Sequence, residues 1–120
     1  MFITTHQLNG FKAQAPRNFA RRLVDHADVE CAGRRACSGE VIPRGDELEA
    51  RVHELIGIAQ SFGIATEMGV AQFVVLGLGY AREFHRTPRV MEMLAATDRS
   101  PDQSIQHVLN AVIVAEARVA

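Results

Sequence analysis

The stretch from Thr66 to Phe84, TEMGVAQFVVLGLGYAREF, admits two incompatible readings, and the rest of the chain follows from the choice between them. In the first, Phe73-Val74-Val75-Leu76 is a strand running into Gly77 and Gly79, the first two glycines of a dinucleotide fingerprint. Asp98 then falls about 20 residues on, where an acidic ribose ligand would sit. In the second, the stretch is a helix. Arg82 occupies the third glycine position, and no strand–helix–strand pattern follows. Val70, Phe73, Val74, Gly77, Ala81 and Phe84 recur at helical spacing, and Val75, Leu76 and Leu78 extend the apolar surface round the other side. The helical reading is adopted, over 66–85. A helix apolar nearly all round is central to its domain or partly covered by a partner, so a homodimer through this helix is one expectation. Gly77 and Gly79 let another helix pack closely.

Working outward, the same spacing recurs on both sides. Leu48, Val52, Leu55, Ile56, Ala59 and Phe62 form one face of a helix over 46–62. Asp46 is its expected cap, and Gly63 a left-handed stop. Thr66 opens the central helix. Pro88 opens a short helix over 88–96 carrying Val90, Met91, Met93 and Leu94. Ser100 caps a last helix over 101–118, with Pro101 in its first position and Ile105, Val108, Leu109, Val112 and Ile113 along its face. At the other end, Leu8, Phe11, Ala15, Phe19 and Leu23 predict one helix over 5–27, kinked or restarted at Pro16. Residues 28–45 hold three glycines, Pro43 and Arg34-Arg35 without a period and predict a long connection, with Val41-Ile42 dipping into the core. The fold expected is all-α: a compact helical bundle of four longer helices and one short one. Leu55, Phe62, Phe73, Val74, Leu109 and Val112 should be buried together.

Composition agrees with one domain over 1–120. Of 120 residues, 48% are apolar and 22% charged, enough for a single core and against general disorder. A net charge of -1 supplies no field to gather nucleic acid or anionic membrane. The most apolar run, Met68–Ala81, is about 14 residues long against the ~18–20 needed to span a bilayer. Met1-Phe2-Ile3 is followed by Thr4-Thr5-His6 rather than an apolar secretion core. The expected location is therefore cytoplasmic, where Cys31 and Cys37 should be thiols.

Motifs for chemistry fail one by one. His53-Glu54 begins a zinc-protease helix, but Gly57 stands where the second histidine is required. Cys31 and Cys37 do not have C-x-x-C spacing. His26 with either cysteine lacks an orienting third group and an oxyanion hole. No catalytic, cofactor-binding or metal-binding residue is expected, and no cofactor. Arginine supplies 12 of the 13 Lys and Arg residues. A cluster of Tyr80, Arg82, Phe84, Arg86 and Arg89 around Pro88 combines the side-chain types that dominate protein interfaces. It is the candidate protein-docking patch, with Phe84 or Tyr80 as anchor and the arginines as a rim facing an acidic surface.

Gly63-Ile64-Ala65-Thr66-Glu67, then Val70-Ala71-Gln72-Phe73, a glycine-interrupted apolar turn to Tyr80 and Phe84-His85-Arg86-Thr87-Pro88 resemble small helical proteins of bacterial type VI secretion gene clusters. Their pattern is A-x-x-[YF]-G-I-x-T-E-x-D-V-x-x-[FY], then F-D-x-x-P. The likeness covers about residues 46–118. Gly69 and His85 stand where that pattern has Asp, and residues 28–45 have no counterpart in it. The resemblance implies an accessory or chaperone-like adaptor whose partner is another protein, such as a secretion effector or spike component. The expected function is thus non-enzymatic protein binding, with a small immunity or antitoxin-type inhibitor as the alternative. A DNA-binding regulator and an unrecognised enzyme rank below both.

Overall fold

Gly69 to Gly79 are buried without a break, so the central segment is covered by its own chain. The computed structural model describes residues 16–119. Within them the order is α1 (Pro16–Glu30), α2 (Gly45–Ser61), α3 (Glu67–Val75), a wide turn (Leu76–Tyr80), a 3-10 turn (Phe84–Arg86), α4 (Pro88–Leu94) and α5 (Pro101–Val119). The all-α reading holds. Among the described residues the one β feature is an isolated bridge between Arg35 and Val41. A radius of gyration of 13.3 Å matches the ~13.6 Å of a compact chain of this length.

The helix ends follow local chemistry. At the end of α2, Gly63 is left-handed with φ 84°. Its N–H donates to the Gln60 carbonyl at 2.9 Å, and the Ile64 N–H donates to the Ala59 carbonyl at 3.3 Å. This double closure satisfies carbonyls that a helix end leaves open. Thr66 Oγ1 then accepts from the Gly69 N–H at 3.0 Å and caps α3. At α5, Ser100 Oγ accepts from the Gln103 N–H at 3.2 Å, and Gln103 Oε1 accepts from the Ser100 N–H at 3.0 Å. The two residues thus form a reciprocal capping box. Pro16, Pro88 and Pro101 each open a helix, where a missing N–H costs nothing.

Several expectations need correction. Residues 5–15 of the anticipated first helix lie outside the described residues; at its other end α1 runs to Glu30 rather than Ala27. Asp46 does not cap α2. The helix begins at Gly45, and Asp46 lies with Glu47 inside the first turn, favoured there by the helix dipole. The central helix stops at Tyr80, not at 85. Its last turn widens so that the Ala81 N–H donates to the Leu76 carbonyl at 3.1 Å, and Ala81 is extended. Gly77 lies in this turn, where a Cβ would come within 2.5 Å of Leu55 Cδ2. The glycine therefore brings this turn against α2, as expected of it. Phe84 keeps the helical apolar rhythm yet reaches the core from the 3-10 turn. The short helix ends at Leu94 instead of 96.

The core is continuous. Leu55, Phe73, Val74, Leu109 and Val112 are buried together as expected, whereas Phe62 is half-buried at its edge. α1 packs on α2, α2 on α3, and α5 on both α3 and α4. The 28–45 connection folds back on this frame. Ile42 is buried, but Val41 is 50% exposed. At its tip, the Cys37 and Ser38 N–H groups donate to the Gly79 and Tyr80 carbonyls, both at 3.0 Å. Carbonyls opened by the wide turn are thus satisfied by the loop. Residues 69–79, the stretch through which a homodimer was expected, are buried within their own chain by α2, α5 and this loop.

Candidate protein-docking surface

The five residues of the anticipated patch separate. Phe84 is only 2% exposed, its ring centroid 4.9 Å from that of Phe73. It is a core residue and not an anchor. Arg82 turns toward α2 and meets Glu54 at 3.3 Å. Arg86 pairs with Glu83 at 3.6 Å, both well exposed. Tyr80 and Arg89 alone remain on one feature, an open groove of about 690 Å³ between α4 and the second half of α5.

The groove is built by ordinary helix geometry. Tyr80 ends the wide turn at one edge, and Arg89, Val90 and Met93 come from α4. Val108, Ala111, Val112 and Ala115 recur at spacings of three and four along α5 and form its floor, with Val114 beside them. Val114 is 50% exposed, and Val90 and Met93 are partly buried. A seven-residue α4 cannot cover the longer α5, so apolar surface is left over. The α5 half of this surface was missed from sequence. The available signal was Val114, which falls off the core face and is apolar nonetheless.

Electrostatics set the groove apart from its surroundings. Its lining, among the described residues, carries Arg89 and His107 but no carboxylate. Among the described residues Arg89 has no carboxylate within ion-pair distance, unlike Arg21, Arg51, Arg82, Arg86 and Arg99. Behind the neighbouring segment, His85 packs against Phe62, Phe73 and Phe84. Burial first, and Arg86 second, hold its pKa below the usual imidazole range against the opposing pull of Glu83 and Glu54.

The groups once weighed for catalysis lie elsewhere. His53 faces Glu49 at 3.9 Å on the surface of α2. Burial, reinforced by Glu30 and only partly offset by Arg34, pushes the Cys31 thiol up to about 12, the inert direction for a nucleophile. Cys37 is exposed. Burial lowers the His26 pKa, against Glu30. Asp102 is occupied: its Oδ1 accepts from the Ala65 N–H at 3.0 Å, and its Oδ2 accepts from the Thr66 N–H at 2.9 Å and from the Thr66 hydroxyl. Burial by itself would raise its pKa; these donors outweigh that and hold it below the usual carboxylate range. Among the described residues no three His, Cys, Asp or Glu side chains could share a metal ion, and no helix is long and apolar enough to cross a membrane. Compared with known proteins, the chain matches no family model, no curated protein and no solved structure.

Proposed function

We propose that this chain is a non-enzymatic protein-binding domain, an accessory or chaperone-like adaptor of a bacterial secretion system. The observation that carries the binding reading is the α4–α5 groove. It holds apolar surface in contact with water, with Val114 half-exposed and Val90 and Met93 partly so. Exposed apolar surface rimmed by polar groups is the usual mark of a partner site. The non-enzymatic reading is supported by the state of the perturbed groups: a raised Cys31 and a fully engaged Asp102. The secretion reading rests on the motif resemblance over residues 46–118.

The test is co-purification from the native host with tagged wild type, Val114→Glu, and the double variant Arg82→Glu with Arg86→Glu. A specific partner should be retained by wild type and lost with Val114→Glu. The double variant should retain it, since both arginines are engaged by neighbouring glutamates away from the groove. A wild-type chain that retains no specific protein, or a Val114→Glu chain that retains every one, overturns the reading. A partner encoded outside any secretion cluster removes the adaptor assignment alone.

A further inference from the structure

We infer that the occupant of the α4–α5 groove is an acidic amphipathic helix of a partner protein. This inference rests on the protein-binding reading above and says what kind of partner it takes. Shape is the first argument. Among the described residues the groove is open to solvent, and it runs between two helices. Ala111 and Ala115, one turn apart on its floor, leave room for a third helix backbone to come close. Val90, Met93 and Val114 stand on either side to receive side chains spaced three and four apart, as in helix-in-groove recognition.

Charge is the second argument. Among the described residues the lining holds Arg89 and no carboxylate, and Arg89 has no ion-pair partner there. Complementarity calls for a carboxylate beside the apolar stripe of the incoming helix. A second copy of this chain meeting groove to groove would offer Arg89 no carboxylate among the described residues.

The experiment uses the full chain and three probes. One is a labelled 18-residue peptide with Leu at helical spacing and Glu on both flanks. The second replaces each Glu by Lys, and the third is sodium oleate. Anisotropy titrations should show saturable binding of the Glu peptide, with the Lys peptide weaker by at least about tenfold. Amide shifts should move at Val90, Met93, Ala111 and Val114. Met93→Glu should weaken the Glu peptide by about tenfold or more, and Arg89→Glu should reverse the order of the two peptides. Val114→Glu, a half-exposed position, gives the same reading should Met93→Glu fail to fold. Equal binding of both peptides, or binding unmoved by these variants, overturns the inference, as does oleate binding in their place. If the Glu peptide fails while a host partner is still lost with Val114→Glu, the acidic helix is wrong and the protein-binding reading stands.

Discussion

Asp102→Ala removes the contact that ties the start of α5 to the connection between α2 and α3. In wild type one carboxylate accepts three bonds, from the Ala65 and Thr66 N–H groups and the Thr66 hydroxyl. Each hydrogen bond to a charged group contributes about 1.5–3 kcal/mol where water is excluded. This site lies near the surface, and water replaces much of each bond once the carboxylate is gone. The net loss should therefore be about 2–3 kcal/mol rather than the full sum. For a domain of this size that is a fall in Tm of roughly 8–12 °C. The carboxyl pKa is held below its usual value in the folded state. Its contribution is therefore complete above the unfolded pKa of about 3.9 and is lost as pH falls through the lower folded value. Urea denaturation of both proteins at pH 7 and again near pH 2.5 measures this. The difference should be full at pH 7 and shrink in acid. A difference below about 0.5 kcal/mol at pH 7 would refute the reasoning, and so would one that does not change with pH.

Gly69→Ala should destabilise, although Gly to Ala inside a helix ordinarily gains up to about 1 kcal/mol. The added Cβ would lie 2.4 Å from Asp102 Oδ2 and 2.7 Å from Ile64 Cγ2. The expected loss is about 1–3 kcal/mol, smaller in the Asp102→Ala background; a gain in Tm would show that the cap yields. Ser104→Ala should be neutral or stabilise by up to about 1 kcal/mol, because the hydroxyl is buried and makes no hydrogen bond among the described residues. A measured loss above 1 kcal/mol would mean that Oγ has a partner. Alkylation of the native protein near pH 8, followed by mass spectrometry, should label Cys37 well before Cys31, which is 1% exposed with its thiol pushed up to about 12. Equal rates would show that Cys31 is reached by opening as easily as Cys37 is at the surface.

A side chain at Gly69 would crowd Asp102, in space that the Thr66 cap already fills. Asp102, from α5, accepts from the Ala65 and Thr66 N–H groups ahead of α3. That partnership joins residues 36 and 37 apart in sequence, and no local pattern in either segment announces it.

What sequence alone determined is what local physics governs. Helical spacing rejected the strand reading of Phe73 to Gly79. Caps at Thr66 and Ser100, first-position prolines at Pro88 and Pro101, and the stop at Gly63 each depend on groups within a few residues, so they could be read directly. Tertiary structure decided everything that depends on which surfaces meet. Phe84 and Ala81 continue the helical rhythm, yet the central helix widens at Leu76 and ends at Tyr80, with its open carbonyls taken up by the loop tip. That loop lies some forty residues away in the chain. Tyr80, Arg82, Phe84, Arg86 and Arg89 are neighbours in sequence, but packing sends Phe84 inward, gives Arg82 and Arg86 to nearby glutamates, and leaves Tyr80 and Arg89 on a groove completed by α5. Residue type made the patch visible, but only the lengths and packing of α4 and α5 determine how much apolar surface stays uncovered.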